Sequence, residues 1–150
     1  MRYLFILIYM FFFNILAHEY EKNDVKVIHP VLKLVSSEGK VGAGYFTIIN
    51  NGKNSVKLLG IVSNIAKRQE IHEVILDNNI YKMRPIKEGL VIKPGQELIF
   101  KSKSYHVMFF DIKKHFKSED MVDADIMFSN NFIINVKFKV LVKEESTHNH

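Results

Sequence analysis

From Val25 onward, apolar and polar positions alternate in short runs rich in Val, Ile, Phe and Tyr, separated by turn-forming residues. The alternation predicts strands near Val25 to Ile28, Val31 to Val35, Ala43 to Asn50, Val56 to Ile61, Ile71 to Leu76 and Ile80 to Arg84. Further strands are expected at Leu98 to Lys101, Tyr105 to Ile112, Asp123 to Phe128 and Phe132 to Val142. Turns fall at Ser36 to Lys40, Asn50-Asn51-Gly52, Lys93-Pro94-Gly95 and Ser129-Asn130-Asn131. Leu90 to Glu97 is expected to cross between sheets, because Pro94 has no N–H to give to a central ladder. No stretch carries a long helical period, and there is no internal repeat or linker. The pattern therefore predicts an all-β chain folded as a Greek-key β-sandwich.

The first residues break this pattern. Arg2 precedes an apolar run from Tyr3 to Phe13, then Asn14 and Ile15-Leu16-Ala17, before the charged His18-Glu19-Tyr20-Glu21-Lys22. A basic start, an apolar stretch and a small residue are the grammar of an export signal. The run is shorter than the roughly 20 residues that cross a bilayer, so residues 1–17 are read as a cleaved signal peptide, with an uncleaved anchor as the alternative. Apolar residues on all sides of the run argue against an amphipathic helix packed on the domain. Residues 18–150 are then enough for one domain with its own core and too few for two.

Charge and cysteine content narrow the chemistry. The net charge of +5 comes from dispersed basic residues, such as Lys137 and Lys139 alternating with Val136, Phe138 and Val140 on the wet face of a strand. With no concentrated patch and no nucleic-acid-binding module, nucleic acid is not an expected partner. The chain has no cysteine. An exported domain without disulfides relies on hydrophobic burial, and a blue-copper centre, which needs a thiolate, is excluded. No Ser-His-Asp grouping, P-loop, G-x-G-x-x-G opening a helix or H-E-x-x-H is present, so no enzyme is expected.

One constellation carries candidate chemistry. His106 and Met108 are two apart in an aromatic, β-branched run, so on a strand both side chains leave the same face. Upstream, Asp77-Asn78-Asn79 separates two strands, and asparagine tolerates the positive φ of a two-residue type I′ turn. With Asn78 and Asn79 as its centre, Asp77 pairs with Ile80, Val74 with Met83 and Glu73 with Arg84. That register puts His72 diagonal to Met83 on one face and a Glu73–Arg84 ion pair on the other. A three-residue loop would send His72 and Met83 to opposite faces. Two imidazoles and two thioethers, with no thiolate or carboxylate, suit Cu(I) better than zinc, calcium or magnesium. Taken alone, the spacing leaves open a plainer reading in which the histidines lie at the surface and the methionines fill the core.

At these residues the chain resembles the periplasmic copper chaperones of the PCu(A)C family, whose signature is a His, a Met about eleven residues on, and a later His-x-Met. Here these are His72, Met83 and His106-Val107-Met108. Gly44-Tyr45-Phe46-Thr47-Ile48-Ile49-Asn50-Asn51-Gly52, Tyr81-Lys82-Met83-Arg84-Pro85 and Lys93-Pro94-Gly95 look like family landmarks in family order. The resemblance covers about Val25 to Val142; Val74 stands where many members carry a further Met. It implies a cupredoxin-like β-sandwich with Cu(I) as cargo at His72, Met83, His106 and Met108. It also implies delivery to cytochrome c oxidase copper centres, with an oxidase subunit or a thiol-containing copper assembly factor as acceptor, in the periplasm.

Outside that set, Met121 and Met127 are read as packing residues, and His29 and His115 as exposed. Glu73 is a candidate hydrogen-bond acceptor for a ligand histidine, although the register turns it away. An apolar surround for the metal is expected from Tyr81, Tyr105, Val107 or Phe109. His18, freed by signal cleavage, and His148 and His150, in the polar tail 143–150, are candidate Cu(II) ligands, against the alternative of a plain disordered tail. A monomer with no membrane span after cleavage is expected. Three other classes stay open: a copper buffer or resistance protein with the same site, a metal-free adhesion or assembly sandwich, and a copper redox enzyme. A site with no open position argues against the last.

Overall fold

The structure, a computed structural model, describes residues 19–143. The expected signal segment, His18 and the tail histidines lie outside the described residues. Eleven strands run β1(Glu19–Lys22), β2(Val25–Leu34), β3(Val41–Asn50), β4(Val56–Val62), β5(Ala66–Asp77), β6(Ile80–Pro85), β7(Leu90–Ile92), β8(Glu97–Phe100), β9(His106–Ile112), β10(Met121–Phe128) and β11(Ile133–Val142). A single 3-10 turn at Ser129–Asn131 is the only helical element among the described residues. The all-β expectation holds.

The strands follow the order β6-β5-β9-β3-β2-β11-β10-β4-β7, with β1 added on β2 and β8 on β3. Two long strands bend the sheet into its layers. β3 pairs with β9 through Val41 to Gly44 and with β8 through Phe46 to Ile49. β2 pairs with β1 through Val25 to Ile28 and, in parallel, with β11 through Val31 to Leu34. The change of partner in β2 falls at a break in its register with β3 between Ile28 and Val31, where His29 has a φ of +53° ahead of Pro30. A bulge of this kind bends one strand where two were expected.

The inner faces meet in an aromatic core. Phe46 stacks on Phe100 at 4.3 Å between ring centroids and meets the Phe138 ring edge-on at 5.7 Å, and Phe109 packs edge-on against Phe138 at 5.8 Å. Gly44 makes room for this: a Cβ there would lie 2.9 Å from Phe109 and 3.2 Å from Phe138. Buried Asn50 ties the far end of β3 to its surroundings, giving hydrogen bonds from its amide to the carbonyls of Asn54 and Ile92 at 2.9 Å each and accepting one from the Gly52 N–H at 3.0 Å.

Two strands were not expected. β1 is short and polar, held to β2 by backbone pairing and by a Lys26–Glu19 ion pair at 2.6 Å. β7 falls within the segment read as a crossover and pairs with β4, before the turn at Pro94. Neither offers enough apolar alternation to be seen in sequence. Met121 is also corrected: it is exposed on the outer face of β10, whereas the Cε of Met127 lies over Gly60, where it would be 3.3 Å from an added Cβ. His29 and His115 are exposed, as expected.

Candidate metal centre

The β5–β6 hairpin has the register that a two-residue turn demands. Asn78 and Asn79 take φ values of +50° and +62°, Asp77 pairs with Ile80, and Val74 pairs with Met83. Both central residues in the left-handed region make a type I′ turn, whose twist matches the strands. On its other side β5 pairs with β9, setting His72 opposite His106 and Glu70 opposite Met108, and β9 pairs with β3, setting Met108 opposite Ala43. Because directly paired residues share a face, His72, Met83, His106 and Met108 all emerge on the outer face of one sheet.

The imidazoles of His72 and His106 lie edge to face with centroids 5.7 Å apart. A cavity of about 420 Å³ opens beside them, lined by Met83, His106 and Met108 together with Tyr45, Val74 and Tyr81. His106 is 5% exposed, whereas Met83, on the edge strand, is 62% exposed. The site thus has a fixed inner part on β5 and β9 and an accessible thioether on β6.

Each histidine has one nitrogen engaged by the chain. His106 Nδ1 lies 3.0 Å from the carbonyl oxygen of Ser104, to which it donates. His72 Nε2 lies 2.8 Å from Glu70 Oε2. The other nitrogen of His72, Nδ1, is buried and has no hydrogen-bond partner. Leaving a buried polar atom unsatisfied costs about 1–3 kcal/mol, so such an atom in a native interior calls for a partner such as a metal ion or a water. The hydrogen bond from His72 is the main cause that holds the Glu70 carboxyl below its ordinary range, with Arg68 and Lys87 contributing.

Three details differ from expectation. Glu73 does pair with Arg84 in the ladder, but no ion pair joins them among the described residues; in this hairpin Lys82 binds Asp77 instead, at 2.7 Å. The acceptor for His72 is Glu70, which sequence reasoning passed over. Its position two residues before His72 on a strand was the available signal, since it places both on one face. Val107 and Phe109 are fully buried on the opposite, core face of β9, so the apolar surround comes from Tyr45, Val74, Tyr81 and Phe110. Tyr105 packs against Phe100 at the edge of the core, with centroids 6.1 Å apart.

Known proteins show the same architecture. The fold is similar to the apo PCuAC domain from PmoF1, with a TM-score of 0.70 and 21% identity over 84% of this chain and 100% of that one. The copper-bound PCuAC domain from PmoF2 aligns with a TM-score of 0.69 and 17% identity over 84% and 99% of the two chains. The CuI form of DR1885 from Deinococcus radiodurans aligns with a TM-score of 0.58 and 20% identity over 77% of each chain. These likenesses show a PCuAC-like, cupredoxin-like β-sandwich. In sequence, the uncharacterized protein RP573 of Rickettsia prowazekii (strain Madrid E) is 33% identical over 107 residues. The match spans 69% of this chain and 59% of that relative, less than two thirds of its length. The LpqE-like family model matches residues 25–140, almost the whole sandwich. The chain belongs to the LpqE-like family.

Proposed function

We propose that this chain binds Cu(I) through His72, Met83, His106 and Met108 and serves as an exported copper carrier. The observation that carries the reading is His72 Nδ1, a buried ring nitrogen without a hydrogen-bond partner, on the face that also bears His106, Met108 and Met83. The donor set fits the ion: imidazole and thioether are soft enough for Cu(I) and leave hard cations poorly served. Copper in the PmoF2 domain and CuI in DR1885 add support from proteins of the same fold.

Transfer by ligand exchange follows from the uneven burial of the donors. Met83 is the weakly donating ligand that solvent and a partner can reach, so an acceptor bearing thiolates displaces it first while the histidines still hold the ion. That accessibility favours a carrier over a storage protein. The acceptor in this reading is a cytochrome c oxidase copper centre or a thiol-containing assembly factor. Export to the periplasm is supported by the basic-then-apolar start of the chain and by the description of the LpqE-like family as a lipoprotein family.

An anaerobic Cu(I) titration against a chromogenic competitor chelator tests the site. One tight equivalent is expected, weakened by Met83→Leu or Met108→Leu and abolished by the His106→Ala, Met108→Ala double variant, with the β-sheet circular dichroism unchanged. Equal binding by the parent and the double variant would place the copper elsewhere. A chain ending at Thr147 separates the core site from His148 and His150.

A further inference from the structure

Beside the copper ligands lies a polar chain that the ligand set does not use. Arg68 Nη1 holds Glu70 Oε1 at 2.9 Å, and Glu70 Oε2 meets His72 Nε2 at 2.8 Å. Arg68 is itself fixed, with its guanidinium 4.4 Å from the centroid of Phe110, whose ring lies 6.2 Å from that of His72. All four residues sit on one face, since Arg68 pairs with Phe110, Glu70 with Met108 and His72 with His106. We infer that Glu70, anchored by Arg68, is a positioning residue that locks His72 in its Nε2–H form, making Nδ1 its metal donor while His106 donates through Nε2.

An ionised carboxylate can only accept, so the nitrogen facing Glu70 must carry the proton, and the other nitrogen of a neutral imidazole is then a bare lone pair. That lone pair is Nδ1, the buried atom without a partner. At His106 the nitrogens exchange roles: the Ser104 carbonyl can only accept, so Nδ1 carries the proton and Nε2 is free. The two ladder partners therefore present different ring nitrogens. Bidentate Arg–carboxylate geometry is not needed for this; one contact from Arg68 leaves Glu70 Oε2 free to face the imidazole. A carboxylate behind a ligand histidine also raises its basicity and fixes its ring, and loss of such a partner typically costs about 10- to 100-fold in metal affinity.

This inference rests on the copper reading for its donor assignment but not for the tautomers, and the test separates the two. Long-range proton–nitrogen NMR correlations on the metal-free chain should show His72 protonated at Nε2 and His106 at Nδ1. Glu70→Ala should mix the His72 tautomers, leave His106 unchanged and weaken Cu(I) binding by about 10- to 100-fold. Arg68→Ala should give the same change in smaller degree. On Cu(I) addition, the nitrogen shifts of His72 Nδ1 and His106 Nε2 should move. A His72 protonated at Nδ1 in the parent, or a tautomer unmoved by Glu70→Ala, would overturn the positioning role even if stability fell. Expected tautomers with no Cu(I) uptake by the parent would overturn the donor assignment together with the copper reading, leaving the Glu70 clamp as a structural device.

Discussion

Tyr45 projects from β3 onto the cavity face, under the ammonium of Lys33 at 5.5 Å, and partial burial raises its phenol above the ordinary 10.0. The neutral phenol is the form the fold prefers. Its contribution to stability is therefore complete below the pKa of the unfolded chain and fades as pH rises through the higher folded value. Followed by phenolate absorbance, one tyrosine should lag behind the others in alkaline titration and vanish from the curve in Tyr45→Phe. A curve in which no lagging component disappears would contradict this placement. The same side chain lines the cavity beside His106 and Met108.

The hairpin is the element on which the candidate site turns. Strand side chains repeat every two residues, so a one-residue shift in the pairing flips β6 relative to β5. A glycine inserted between Asn79 and Ile80 should leave the Asn78-Asn79 turn in place, pair the new residue with Asp77, set Met83 opposite Glu73 and so carry Met83 to the face opposite His72. Cu(I) affinity in the chelator titration should then fall to the level of Met83→Leu. Thermal stability should change little, because β6 is an edge strand exposed along its whole length. Parental affinity in the insertion variant would mean that Met83 is not a ligand.

At the scale of the molecule, stability comes from one continuous apolar core with no disulfide to assist it. Phe138, on β11, is fully buried and packs edge-on against Phe46 of β3 and Phe109 of β9. Phe138→Ala should cost about 3–5 kcal/mol in urea unfolding, a large share of the stability of a domain this size. The candidate metal site lies on the other face of the same sheet: Val107 and Phe109 fill the core from β9 while His106 and Met108 face out. The core thereby sets the position of two candidate donors, whereas Met83 lies exposed at the sheet margin.

Sequence alone determined what depends on near neighbours. The two-residue period of the strands, the Asn78-Asn79 turn and the His106-x-Met108 spacing were all legible, and with them the all-β class, the hairpin register and the shared face of His106 and Met108. The same parity could have identified Glu70, two residues before His72, in place of Glu73. The remainder depended on pairings between distant segments, which no local period encodes. Only the tertiary structure set β5 beside β9, and so His72 opposite His106. Only it joined two expected strands through the bulge at His29 and recruited the polar β1 and the three-residue β7. It alone decided that one nitrogen of His72 would be buried without a partner, because burial belongs to the packed whole and not to any residue in the row.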